Sequence, residues 1–188
     1  MSKYFAVLTI VVMLGMVLTR ALLMQKQGIE AINFGKIDKT DFLIVPFALF
    51  YFYTVFAATF NFPTISTQEF FDSKVISWVG VFFCLAGLLL LLWSLISFGQ
   101  SFRIGIDTEH PDKLITTGVF AFSRNPIYVA FASILFGQFL IFSSWILLVY
   151  IGAAIWPFHR QVLREEDYLN KYYGNEYLEY CDQVRRYL

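Results

Sequence analysis

The 188-residue chain is 58% hydrophobic and 15% charged, with a mean hydropathy of +0.62 and no formal net charge. Soluble domains carry roughly 25% charged residues, so this composition puts the chain in a bilayer, and its balanced charge argues against a nucleic-acid partner. Cys84 falls in an apolar run and Cys181 in a polar tail, while His110 and His159 stand about fifty residues apart; this argues against a disulfide, a C-x-x-C site and a metal centre.

Tyr4–Met24 is apolar except for Arg20 and is long enough to cross a ~30 Å hydrocarbon core at 1.5 Å per residue. No small-x-small cleavage site follows, so it reads as a retained helix rather than a signal peptide, with Arg20 snorkelling to the interface. After the polar connection Gln25–Asp41, Phe42–Phe62 offers 21 uncharged residues for a second span, with Pro46 tolerated in its first turn. The P-T-I-S-T segment that follows suits the cap of a small interfacial helix. Lys74 and Arg103 enclose 28 uncharged residues, whose densest part, Ser77–Phe98, is a third span. From Asn125 to Phe158 come 34 uncharged residues. As a single helix these would measure ~50 Å, too long for the bilayer core. Ser143-Ser144-Trp145 near the middle divides them into a tight hairpin of two short helices, each roughly 16 residues and ~25 Å long.

The expected architecture is therefore an all-α integral membrane protein of about five transmembrane helices, the last two a tight hairpin, followed by cytosolic C-terminal helices. Charge placement tests that count. With the N-terminus outside, the inner segments hold Arg20, Lys26, Lys36, Lys39, Arg103, Lys113, Arg124, Arg160, Arg164, Lys171, Arg185 and Arg186, against Lys3 and Lys74 outside. Such a bias follows the positive-inside rule. A single domain over residues 1–188 accommodates this, with three spans in 1–100 and a loop, hairpin and tail in 101–188. The tail reads as a helix leaving the membrane near His159 and running to Tyr173, with Glu165, Tyr168, Leu169 and Tyr172 on one face. Gly174 suits a left-handed C′ position, and Asn175 is placed to N-cap a second helix with Glu176 and Glu179 near its positive end.

The most informative stretch is Leu114–Tyr128, L-I-T-T-G-V-F-A-F-S-R-N-P-I-Y. Gly118 and Pro126 punctuate it, and Arg124 is the last formal charge before the long apolar run. An unpaired charge beside the bilayer is costly. Glu165 and Glu166 are the nearest plausible partners across the hairpin. The pair can serve as a structural pin, as the floor of a ligand site, or as both.

Taken together, Leu114-x3-Gly118-x-Phe120-x3-Arg124-Asn125-Pro126-x-Tyr128, then Glu165-Glu166, Leu169, Gly174, Glu176-Tyr177 and Tyr180, resembles the C-terminal signature of isoprenylcysteine carboxyl methyltransferases and the related membrane phospholipid methyltransferases. The resemblance covers about Ser101–Arg186. It implies methyl transfer from S-adenosylmethionine to a lipophilic acceptor, most simply a carboxylate such as that of a prenylated cysteine, with a phospholipid amine or a small thiol as alternatives. The absence of G-x-G-x-x-G after a strand argues against a soluble dinucleotide-type site. Carried over residue by residue, the resemblance has Lys113, Leu114, Ile115, Phe120, Asn125, Pro126, Ile127, Tyr128 and Glu165 lining the cofactor pocket, with Arg124 and Glu165 at the reacting centre. This chain departs from many relatives in three places. Asn125 replaces a histidine, which keeps hydrogen bonding but removes any proton transfer. Phe120 replaces a tyrosine, and Gln161 replaces a substrate-binding arginine, for which Arg160 or Arg164 would substitute. A membrane reductase using NADPH and a non-catalytic membrane scaffold are the readings from other classes.

Overall fold

The computed structural model describes residues 1–26, 44–63, 70–99 and 114–188. Expectations for the connection after the first helix, the P-T-I-S-T segment beyond Pro63, and the loop that includes Lys113 lie outside those residues. Six α-helices occur among the described residues: α1 (Ser2–Lys26), α2 (Ile44–Phe60), α3 (Lys74–Phe98), α4 (Pro126–Phe142), α5 (Trp145–Tyr173) and α6 (Asn175–Gln183), with a 3-10 turn at Gly118–Ala121. Three of these, α1, α3 and α5, are long and apolar enough to cross a membrane; Pro46–Phe60 and Pro126–Phe142 are shorter apolar helices.

Local chemistry sets the ends of these helices. Ser73 caps α3, its Oγ accepting the Ile76 N–H at 3.4 Å, so α3 begins almost a turn before the expected Ser77. Pro126 opens α4 at a position whose N–H would have no helical partner anyway. Ser143 ends α4 in the left-handed region, φ 44°. Its carbonyl accepts the Phe70 N–H at 2.8 Å, and its hydroxyl donates to the Phe71 carbonyl at 2.5 Å, so the segment after α2 clasps the turn. Only Ser143 and Ser144 separate α4 from α5. The latter then continues unbroken through Pro157 for 29 residues, so the apolar run and the start of the tail form one helix. Asn175 is not an N-cap: Gly174, at φ 55°, caps α6, and Asn175 is already its first helical residue. The positive φ expected at Gly174 is present, but the same residue ends one helix and begins the next.

The helices meet at two distinct ends. At one, the Tyr4 and Phe60 rings lie 6.1 Å apart, Phe5 and Trp78 5.8 Å, and Phe71 and Phe139 6.1 Å. At the other, the Arg20 guanidinium donates to the Gly99 carbonyl and Phe98 meets Phe120 edge-on at 4.6 Å. The Tyr128 ring, near the start of α4, lies 5.9 Å from Phe158 of α5, which brings the two helices together antiparallel.

Between the ends, small residues let backbones touch. A Cβ on Gly80 would stand 2.5 Å from the Gly137 carbonyl oxygen, and one on Gly87 2.9 Å from that of Ala130, so α3 and α4 pack backbone against backbone. Gln138 is fully buried, donating to the Ala6 carbonyl at 3.2 Å and accepting from the Tyr51 hydroxyl, which ties α1, α2 and α4 together. The outward faces are apolar: Phe82, Leu89, Ile96, Ile155 and Trp156 are all 64% or more exposed. An exposed apolar surface that continuous needs lipid rather than water around it.

Candidate functional site

The R-N-P turn lies at the second end of the bundle, where three separate pieces of chain converge. The 3-10 turn precedes it, and Gly118 at φ 66° lets the backbone pass Ser97, whose Oγ accepts the Val119 N–H at 3.4 Å. The charged half of α5 returns beside it. The last residues of the chain then run across both.

Glu166 is the centre of this convergence. It is 8% exposed. Its Oε1 accepts from Arg124 Nε at 3.3 Å and from Asn125 Nδ2 at 3.1 Å, and its Oε2 accepts from Arg186 Nε at 2.8 Å. Further bonds fasten the tail. Arg124 Nη1 donates to the Cys181 carbonyl at 3.1 Å, the Arg124 N–H to the Arg185 carbonyl at 3.0 Å, and Asn125 Nδ2 to the Arg186 carbonyl at 3.1 Å. From α6, the buried Tyr180 hydroxyl donates to the Phe120 carbonyl at 2.6 Å. Burial pushes that hydroxyl up to about 12, so it stays a neutral donor. Burial, then the nearby Glu166 and Cys181, likewise hold the Tyr177 hydroxyl protonated.

Glu165, one residue earlier, faces another way. Its Oε1 accepts from the Tyr128 hydroxyl at 2.8 Å and from Gln161 Nε2 at 3.0 Å. Burial raises its carboxyl above the usual range, the two hydrogen bonds pull it back, and the neighbouring Glu166 charge raises it again. Glu165 lies two turns beyond Phe158, where the apolar part of α5 ends.

The structure brings Arg124 and Asn125 to Glu166 and, a turn further along, Tyr128 to Glu165, with Pro126 between them in sequence; Leu114 and Ile115 are half-buried in irregular chain before Gly118. It sets others apart. The Phe120 ring is buried against Phe98, and Ile127 packs towards the α1–α3 cluster around Met24, Leu91 and Leu95. Arg160 lies with its guanidinium carbon 5.2 Å from the centre of the Trp156 ring. At 100° per residue, Arg160 and Arg164 sit roughly 140° and 100° around α5 from Glu165. Gln161, at the position for which the resemblance implied arginine, donates to Glu165. Sequence reasoning offered both glutamates to Arg124 without choosing; the choice falls on Glu166. Arg186 belongs to no motif, and only its nearness to a second buried acid could have marked it.

The cluster suits the recognition of a polar, cationic cofactor such as S-adenosylmethionine. Both hydrogen bonds to Glu165 end on Oε1, and Oε2 accepts none among the described residues, so a half-buried carboxylate oxygen has acceptor capacity left over. The Asn125 amide is less open, since its Nδ2 already serves Glu166 and the tail, which leaves Oδ1 to meet a ligand.

Fold and cluster together define a helical membrane protein with an acidic site at one end of its bundle. The chain belongs to the phospholipid methyltransferase family, whose model matches residues 75–176, from the start of α3 into α6. Among individual proteins it is 30% identical over 127 residues to a protein-S-isoprenylcysteine O-methyltransferase of Xenopus laevis, covering 64% of this chain and 44% of that one. It is 30% identical over 112 residues to protein-S-isoprenylcysteine O-methyltransferase B of Arabidopsis thaliana, covering 58% and 57%. The Homo sapiens protein-S-isoprenylcysteine O-methyltransferase is 26% identical over 166 residues, 83% of this chain and 57% of that one. The chain thus spans about half the length of the curated relatives it matches.

Proposed function

We propose that this chain transfers a methyl group from S-adenosylmethionine to the carboxylate of a lipophilic acceptor, a prenylated cysteine being the acceptor class its relatives' names point to. The site is the Tyr128–Glu165 cluster, in a single domain of five spans whose last two form a hairpin, with the N-terminus outside and the site facing the cytoplasm. The observation that carries the reading is Glu165: a buried-edge carboxylate steadied by Tyr128 and Gln161, one oxygen open, beside a turn matching the family signature.

S-adenosylmethionine, when bound, supplies a methyl group on a sulfonium, an electrophile that needs alignment and exclusion of water more than a base. In this division of labour Glu165 accepts hydrogen bonds from the cofactor and offsets its positive charge. Tyr128 fixes the carboxylate's direction, and backbone at Leu114 and Ile115 closes the near side. Arg124 and Asn125, both held by Glu166, keep the turn in register. A carboxylate acceptor is nucleophilic as it stands, which suits a site with an amide, Asn125, at the position for which the resemblance implies a histidine.

Membranes containing the protein, incubated with methyl-labelled cofactor, provide the test. Label released by base as volatile methanol is the expected result and identifies a methyl ester. The family's description favours a second reading, in which the acceptor is a phospholipid amine; base-stable label in the lipid fraction would establish that instead. Binding of S-adenosylhomocysteine by calorimetry, lost in Glu165→Ala, checks the site assignment. Binding of NADPH in its place would convert the reading to a reductase.

A further inference from the structure

Beyond α6 the chain leaves the helix in extended form at Val184, φ −124° and ψ 133°, and residues 184–188 run as a strap over the R-N-P turn. Polar groups hold it there. The Arg185 carbonyl accepts the Arg124 N–H at 3.0 Å, and the Arg186 carbonyl accepts Asn125 Nδ2 at 3.1 Å. Arg186 Nε donates to Glu166 Oε2 at 2.8 Å, and the Tyr187 hydroxyl lies 2.8 Å from His159 Nδ1. Val184, Arg186 and Tyr187 are only half-buried, and Arg185 and Leu188 are exposed. The preceding helix is fixed differently, by the buried Tyr177 and Tyr180. A segment with few buried apolar contacts opens at lower free energy than the fold around it, so the strap can lift while α6 stays in place.

The strap lies beside the site without entering it. On α5, His159, Val162 and Glu166 form one stripe at spacings of three, four and seven, and the strap engages its two ends. Phe158, Gln161 and Glu165 form the next stripe, about 100° around, which Tyr128 meets. The R-N-P turn links the two, since Asn125 precedes Tyr128 by three residues. Asn125 Nδ2 is divided between Glu166 Oε1 and the strap's Arg186 carbonyl, which fixes the amide with Oδ1 as the side left for a ligand. Lifting the strap removes one of those two bonds, the partner of the Arg124 N–H, and one cation from Glu166. Resting on the reading of the Tyr128–Glu165 cluster as the methyl-donor site, we propose that the strap positions that site: the donor binds the docked form in preference to the lifted one, and in turn holds the strap down. Coupling of this kind is reciprocal. The factor by which donor suppresses lifting equals the factor by which loss of the strap weakens donor binding.

Limited trypsin digestion of the full chain tests this, with S-adenosylhomocysteine as the probe. Cleavage of a briefly opened segment follows the population of the open form when closing outruns cutting. Saturating probe should slow cleavage after Arg185 and Arg186 roughly tenfold, within the usual range of coupling between sites. Cleavage after Lys26, at the end of α1, should be unchanged. A variant lacking residues 184–188 should bind the probe more weakly in calorimetry by the same factor of roughly ten. Should that variant fail to fold, protection at Arg185 and Arg186 in the native chain decides alone. A native chain that binds the probe but is cut after Arg185 and Arg186 at an unchanged rate overturns the strap's role and leaves the donor site standing. Equal protection after Lys26, or a shortened variant with native affinity, does the same. Failure of the native chain to bind the probe at all overturns both.

Discussion

Glu165 and Glu166 are neighbours in sequence with opposite physical situations. Glu166 is saturated: two guanidinium groups and an amide converge on it, and the Arg124 and Glu166 side chains are 11% and 10% exposed. Removing one member of a buried ion pair leaves the rest uncompensated, which costs about 3–5 kcal/mol. Glu166→Ala should therefore lower the unfolding temperature markedly and release the tail, seen as rapid tryptic cleavage after Arg185 or Arg186. The Arg186 side chain is 38% exposed, so Arg186→Ala should cost only about 1 kcal/mol, as a rim ion pair does. Glu165 is instead under-satisfied, and burial lifts its folded pKa above the ordinary 4.5. A carboxyl so raised contributes stability fully below its unfolded pKa and loses it as pH rises through the folded one. Glu165→Gln should accordingly unfold at a higher temperature than the native chain at neutral pH, with the gap closing on acidification; scans between about pH 4 and pH 8 read this directly. Ligand binding has the reverse sign. Affinity for S-adenosylhomocysteine should fall as acid protonates Glu165, and a native chain whose affinity is flat through that interval would remove the carboxylate from the site. A group kept against its own stability preference is common where function needs it.

At the level of helices, the α3–α4 contact is the sharpest constraint. Gly137 sits where a Cβ would lie 2.6 Å from the Gly80 carbonyl oxygen and 2.9 Å from the Cys84 backbone nitrogen, neither of which can turn aside. Alanine gains about 1 kcal/mol of helix propensity over glycine, whereas overpacking costs typically 1–3 kcal/mol. With backbone on the other side, overpacking wins, and Gly137→Ala should destabilise. Gly152 in α5 is the control, because nothing lies within 4 Å of its Cβ position. Gly152→Ala should leave stability unchanged or raise it slightly; denaturation in mixed micelles compares the two. Neither role was legible in the sequence, since both glycines sit in similar apolar runs and only the partner helix distinguishes them. The same holds for Gln138: a lone amide in an apolar stretch announces a partner but not that the partners are Tyr51 and the Ala6 carbonyl. Helix ends were easier where one residue acts on its own neighbours, as Gly174 does with its positive φ; the Ser73 cap, by contrast, put the start of α3 ahead of the expected Ser77. The Asn175 cap failed for the same local reason. Gly174 ends α5 and starts α6 at once, leaving no non-helical residue for Asn175 to occupy.

Across the whole molecule, the apolar periodicity gave the helices and the charge bias gave a direction, but the two kinds of information differ in reach. Packing shows which helix ends lie together: Tyr4 with Phe60 and Phe5 with Trp78 at one, Arg20 with Gly99 and Phe98 with Phe120 at the other. It does not orient the bundle in a membrane; charge must. Among the described residues the first end carries Lys3 and Lys74, and the second carries Arg20, Lys26, Arg124, Arg160, Arg164, Lys171, Arg185 and Arg186. A membrane potential and the insertion machinery both keep arginine and lysine cytoplasmic. The first end should therefore face outward, and the Glu165 cluster should draw on the cytosolic pool of methyl donor. Single cysteines settle the direction in a chain whose own Cys84 and Cys181 are replaced by serine. Lys3→Cys should react with a membrane-impermeant maleimide in intact cells, and Leu188→Cys only after permeabilisation. Reaction of Leu188→Cys in intact cells would put the acidic cluster on the outer face, away from cytosolic S-adenosylmethionine, and the proposed transfer would lose its methyl source.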